Sequence, residues 1–191
     1  MDLGFNKKET IYIIKFILCA FLCNGFVFSF SQTNNTVINT SGDVLIFALP
    51  IAAAGSTLIF KDKEGSKQFL KGFVLNEALT LGLKLVIDKE RPDGSDNNSF
   101  PSGHTSTTFQ SAAFIQKRYG WDYGIPAYLL ATYTGFLRIY SKKHYFLDVF
   151  AGAIIGIGST YLFTSPYQKE PLELTLSNNE NSYLFGLKYK F

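Results

Sequence analysis

Residues 144–164 read HYFLDVFAGAIIGIGSTYLFT. From Phe146 to Thr164 the only charge is Asp148, and Gly152 and Gly156 stand four apart beside Ala151 and Ala153. Helical periodicity with small residues on one face is the pattern of a helix that packs backbone to backbone. Further apolar segments precede it: Val44–Phe60, Phe69–Ile87, Thr105–Ile115 and Ile125–Leu137. The second is interrupted by Lys71, Asn76, Glu77 and Lys84, and the third is weakly apolar. These segments, roughly 11 to 19 residues long, fall at or below the roughly 20 that cross a bilayer. They predict an all-α helical bundle of membrane or membrane-associated helices, with a soluble bundle of buried helices as the alternative.

Composition limits the function classes. The chain has 191 residues, 47% hydrophobic and 16% aromatic, yet a mean hydropathy of only +0.09. A net charge of +3 without a basic, aromatic-interleaved run argues against a nucleic-acid partner. Cys19 and Cys23 share a face of the first apolar run and read as apolar filler, and no Cys/His spacing suggests a zinc site. Lys7, Lys8 and Lys15 accompany an apolar run from Ile11 to Phe28, and Ser29-Phe30-Ser31 offers a cut before Gln32. Residues 1–31 therefore read as a signal peptide or an N-terminal anchor helix, 32–165 as the main domain and 166–191 as a tail. In the tail Leu172, Leu174 and Leu176, then Tyr183, Phe185, Leu187, Tyr189 and Phe191, alternate about a turn at Asn178–Asn181, which predicts a short β-hairpin.

Lys61, Lys63 and Lys67 fall in one inter-segment loop, and Lys117 and Arg118 in another. With those loops cytoplasmic, the stretches Gln32–Asp43, Asp88–His104 and Arg138–Tyr145 lie on the outer side. Lys142 and Lys143 run against the rule there.

Those outer loops hold nearly all of the candidate chemistry. Lys84 and Arg91 are nearly two helical turns apart and point the same way if the helix persists, although Pro92 limits it. A guanidinium grips two oxygens of an oxyanion at once. Pro101-Ser102-Gly103-His104 precedes an apolar helix, whose N-terminal amides form an anion site. Gly103 lets the backbone approach the ligand, and Ser102 caps the helix or bonds an oxygen. Asp148 lies four residues after His144, so on a helix the carboxylate would take the imidazole N–H and leave the other nitrogen as a nucleophile. Arg138 adds a cation. Both histidines of the chain, His104 and His144, fall inside these strings.

The strings KLVIDKERP, PSGH and RIYSKKHYFLD resemble the three signatures of the type 2 phosphatidic acid phosphatase (PAP2) family, K-x6-R-P, P-S-G-H and S-R-x5-H-x3-D, a site shared with vanadium-dependent haloperoxidases. One departure is Leu137, where the family usually has serine. The resemblance implies a helical bundle of about five to six membrane or membrane-associated helices and a phosphatase that needs no metal or cofactor. It implies that His144 attacks phosphorus, Asp148 orients His144, and His104 protonates the leaving oxygen and then activates water. It implies that Lys84, Arg91, Ser102, Gly103 and Arg138 hold the phosphoryl oxygens. The expected substrate is a lipid phosphate (phosphatidic acid, phosphatidylglycerol phosphate, a polyprenyl diphosphate or lipid A), met at the outer face of the cytoplasmic membrane. A secreted acid phosphatase of broad specificity and a haloperoxidase are the alternatives.

Overall fold

A computed structural model of the chain describes residues 35–167, 172–179 and 182–189. Its elements are α1 (Asn35–Ile59), α2 (Lys63–Val86), α3 (Gly103–Tyr119), α4 (Trp121–Tyr140), α5 (Phe146–Phe163), β1 (Leu172–Asn179) and β2 (Ser182–Tyr189). The signal-like segment 1–31, with Cys19 and Cys23, lies outside the described residues, as do the turn residues Glu180 and Asn181. The two strands pair antiparallel, Leu172 opposite Tyr189 through Asn179 opposite Ser182.

The least apolar helix sits at the centre. α3 packs against α1, α2, α4 and α5, and Thr105–Thr108 and Gln110–Ile115 along it are buried. Its hydroxyls return to its own backbone: Ser106 Oγ to the Gly103 carbonyl at 3.0 Å, Thr108 Oγ1 to that of His104 at 2.8 Å, and Ser111 Oγ to that of Thr107 at 3.0 Å. Small, internally satisfied side chains let the surrounding helices come close.

α5 comes closest. A Cβ added at Gly152 would stand 2.6 Å from the Ser102 carbonyl oxygen, and one at Gly156 2.3 Å from that of Ser106 and 2.7 Å from the Gln110 amide. These neighbours are backbone and cannot swing aside. The small-residue face expected from 144–164 is therefore the α3–α5 seam, closed by Thr160 Oγ1 donating to the Gln110 carbonyl at 2.9 Å. Away from the seam, Leu49, Ala53, Phe69, Phe114, Ala127 and Ala131 form the apolar core. The outward faces of the four outer helices are also apolar: Phe47 and Ile51 on α1, Val74 on α2, Leu129 on α4, and Ile154 and Leu162 on α5 are all exposed.

One end of the bundle is clasped by a buried ion pair. Asp62 accepts from the Gly65 amide at the start of α2 (2.8 Å) and from Arg118 Nε and Nη2 (2.7 Å each), and Arg118 Nη1 donates to the Ser165 carbonyl at 2.9 Å. Burial pushes the Asp62 carboxyl up, and Arg118 with the Gly65 amide more than reverses it, holding the group below the usual carboxylate range. The pair brings the start of α2 and the end of α3 together, so Lys61, Lys63 and Lys67 share one end with Lys117 and Arg118.

The apolar runs locate the helices, but the helices outrun them. α1 begins inside the polar stretch before Val44, and α2 starts ahead of Phe69. Lys84 and Arg91 do not share a helix. The last helical bond of α2 is Ile87 N–H to the Leu83 carbonyl, and Ile87 is already extended. Beyond it the backbone pairs within a loop: Lys89 N–H with the Asn97 carbonyl, Ser99 N–H with that of Lys89, and Arg91 N–H with that of Asp96. Those bonds satisfy the chain better than a helix stopped by Pro92 could.

Candidate active site

The end of the bundle opposite the Asp62–Arg118 clasp gathers the end of α2, the start of α3, the end of α4 and the start of α5, with the loop 87–102 across them. Ser102 caps α3: its Oγ accepts from the Thr105 amide at 3.4 Å and meets Thr105 Oγ1 at 2.9 Å. Ser102 is wholly buried, and its hydroxyl holds the helix end. What the cap presents is the pair of amides at Gly103 and His104, which precede any intrahelical partner. A Cβ at Gly103 would stand 3.8 Å from Lys84 Cε and from Thr80 Cγ2; glycine keeps that space open beside the Lys84 ammonium.

Cations ring this corner. Lys84 Nζ donates to the Asn98 carbonyl at 2.6 Å, and Arg91 Nε pairs with Asp96 at 2.6 Å, which holds the Asp96 carboxyl below its usual range. Arg138 is 7% exposed, and its Nε is buried without a hydrogen-bond partner among the described residues. A buried guanidinium donor of this kind calls for an oxygen acceptor. Lys143, one of the two cations that ran against the loop-charge rule, pairs with Asp93 at 2.6 Å.

His144 lies just before α5, 3% exposed, with Nδ1 2.7 Å from the Ser99 carbonyl oxygen. A carbonyl only accepts, so Nδ1 carries the proton and Nε2 the lone pair. Burial pushes the imidazole down to about 3, and Arg91, Lys84 and Arg138 add to the effect against the opposing Ser99 bond. The ring is neutral at pH 7, in the tautomer that leaves Nε2 nucleophilic.

Asp148 is not the direct partner expected of it. Its Oδ2 is 4.0 Å from His144 Nδ1. His144 precedes the helix, so the four-residue spacing does not put both on one helical face. The carboxylate turns back instead onto the Tyr145 amide at 2.9 Å, as the third residue of a helix does in a capping box. Asp148 is completely buried and also accepts from Ser99 Oγ and Lys89 Nζ, each at 2.5 Å. Its link to His144 runs through Ser99, whose hydroxyl faces Asp148 and whose carbonyl faces the imidazole.

His104, in the first turn of α3, directs Nε2 to Asp43 Oδ1 of α1 at 2.8 Å, and Arg138 Nη1 is 3.7 Å from the same oxygen. The charges of Arg138 and Arg91 reach both imidazoles. Both histidines therefore feel the same two guanidinium charges. Sequence reasoning missed Ser99, Lys89 and Asp43. Lys89 stood inside a quoted string as spacer, Asp43 was the last residue of a polar stretch, and Ser99 contributes partly through a carbonyl, which any residue supplies. Among the described residues no three His, Cys, Asp or Glu side chains gather as a metal site.

Residues 84–171 match the family model described as the PAP2 superfamily. The chain is 32% identical over 143 residues to a lipid A 4'-phosphatase of Helicobacter pylori, covering 69% of this chain and 72% of that protein. Two solved structures share the fold. Aquifex aeolicus LpxE does so with a TM-score of 0.60 at 24% identity, over 69% of this chain and 87% of that one. The first transmembrane PAP2 type phosphatidylglycerolphosphate phosphatase from Bacillus subtilis does so with a TM-score of 0.57 at 20% identity, over 81% and 92%. With the signatures on four helix ends and the loop across them, and a relative matched over most of its length, the chain belongs to the PAP2 superfamily.

Proposed function

We propose that the chain is a metal-independent phosphatase that hydrolyses the phosphomonoester or diphosphate of a membrane lipid through a phosphohistidine on His144. The observation that carries this reading is the His144 tautomer: Nδ1–H is fixed on the Ser99 carbonyl, and Nε2 keeps its lone pair inside a field of three cations. In the first step Nε2 attacks phosphorus, the ester P–O bond breaks, and His104 gives its proton to the leaving oxygen. In the second, neutral His104 takes a proton from water, the hydroxide attacks the phosphohistidine, and His144 departs with its lone pair restored. Lys84, Arg91, Arg138 and the amides of Gly103 and His104 hold the equatorial oxygens, where charge gathers in the transition state. Asp148 and Ser99 position His144.

A lipid substrate follows from the apolar outer faces. Soluble monomers rarely expose apolar patches beyond a few hundred Å², whereas here large apolar side chains project from every outer helix; Leu85, beside the site, is 89% exposed. That belt weighs against the secreted, soluble alternative. α5 is long and apolar enough to cross a membrane. With the basic residues at the clasped end cytoplasmic, the site opens on the extracytoplasmic face of the inner membrane, where a lipid head group meets it without leaving the bilayer. Lipid A stands first among the candidate substrates because the Helicobacter pylori relative is a lipid A 4'-phosphatase.

The test is phosphate release by membranes carrying the wild type or His144→Ala, with chelator present, from lipid A, phosphatidic acid, phosphatidylglycerol phosphate and a polyprenyl diphosphate. The expected outcome is chelator-resistant hydrolysis of at least one of these lipids, lowered about a thousandfold or more in the variant. Hydrolysis unchanged by the substitution would remove the nucleophile, and strict dependence on a divalent ion would remove the metal-free scheme.

A further inference from the structure

Four cations at this end of the bundle have acidic or carbonyl partners within the loops and the α5 start: Arg91 with Asp96, Lys143 with Asp93, Lys89 with Asp148, and Lys84 with the Asn98 carbonyl. Arg138 differs. The carboxylate nearest it, Asp43, comes from α1, outside the three signature strings, and the same Oδ1 that lies 3.7 Å from Arg138 accepts from His104 Nε2 at 2.8 Å. A carboxylate oxygen accepts and does not donate, so His104 presents Nε2–H to Asp43. That N–H is the proton the leaving oxygen must receive, and Arg138 is one of the groups that grip the phosphoryl oxygens. One protein oxygen therefore occupies the point where the acid and the cation converge, which is the point a substrate oxygen must reach.

Exposure separates Asp43 from the structural carboxylates. Its side chain is 59% exposed, against 0% for Asp148. A carboxylate so exposed regains water when it lets go, so its bonds to His104 and Arg138 are easily exchanged for those of an incoming anion. A second anion entering beside it meets like-charge repulsion unless the carboxylate turns out.

We propose that Asp43 is a displaceable internal anion: its carboxylate competes with the phosphoryl group for His104 and Arg138 and so sets the affinity of the site for phosphate. Substrate binding exchanges one set of charge-assisted hydrogen bonds for another, and the return of Asp43 helps to discharge orthophosphate. The inference rests on the phosphatase reading for what enters the corner, but its test requires no turnover.

Orthophosphate and orthovanadate binding to the full chain in detergent micelles, followed by 31P and 51V NMR titration, compares the wild type with Asp43→Asn and Asp43→Ser, and with the charge-conserving Asp43→Glu. The neutral variants are expected to bind both anions about three- to tenfold more tightly, the range that a half-exposed charge-assisted contact is worth, and Asp43→Glu is expected to stay near the wild type. Binding by the neutral variants that is unchanged or weaker would overturn the proposal, and so would tightening in Asp43→Glu as well, because shape rather than charge would then be responsible. Failure of His144→Ala to lower hydrolysis refutes the nucleophile and leaves this result standing, so the two readings fail separately.

Discussion

Removing the Ser99 hydroxyl tests how the buried carboxylate serves the nucleophile. In Ser99→Ala the carbonyl that receives His144 Nδ1–H remains, and only the 2.5 Å bond from Oγ to Asp148 Oδ2 is lost. A hydrogen bond to a charged group is worth about 1.5–3 kcal/mol. Felt wholly in the transition state, that is about a 10- to 150-fold loss in kcat/KM at about 1.4 kcal/mol per decade. Asp148→Asn removes the charge that Ser99 Oγ, Lys89 Nζ and the Tyr145 amide all address, so its loss is expected to be larger. The decisive measurement is the double-mutant cycle. If Asp148 acts on His144 through Ser99, the double variant is no slower than Asp148→Asn alone. The assay is phosphate release from a lipid phosphate in mixed micelles, with thermal unfolding of each variant recorded to separate lost catalysis from lost fold. Losses that multiply in the double variant would refute the relay and return Asp148 to a direct role.

Two further outcomes follow from geometry already described. Gly156→Ala drives a Cβ to 2.3 Å from the Ser106 carbonyl oxygen and should cost about 1–3 kcal/mol or more of stability, whereas Gly158→Ala, with nothing within 4 Å, should be neutral or slightly stabilising; equal unfolding midpoints for the two would contradict the seam. His144 falls from an unfolded 6.5 to about 3 in the folded chain, so the unfolded state binds the proton first; this contribution to stability is full above about pH 6.5 and is lost as pH falls toward 3, at up to about 1.4 kcal/mol per unit, and His144→Gln should flatten that part of a thermal-stability profile.

What the sequence made legible was whatever required a side chain of one type at one spacing. Lys84, Arg91, Arg138, both histidines and Asp148 are of that kind, and all reach the same end of the bundle. Gly152 and Gly156 were legible for a related reason, since two backbones cannot touch through a larger residue. What stayed hidden was supplied by backbone or by distant chain. The Ser99 carbonyl has no residue signature, Lys89 looked like spacing, and Asp43 reaches His104 from another helix, 61 positions away. The assumption that helical spacing holds across Lys84 to Arg91 and His144 to Asp148 failed at both places for one cause: each string straddles a helix end, where the chain's hydrogen bonds go to loops and caps.

The polar centre of the bundle bears on how such a chain is held in a bilayer. For the membrane-embedded protein proposed above, α3 presents Thr105, Ser106, Thr107, Thr108, Gln110 and Ser111 along its length, and a lone helix of that composition gains little from contact with lipid tails. Its place in the bilayer then depends on the four helices that sheathe it, which supply toward lipid the apolar face that α3 lacks.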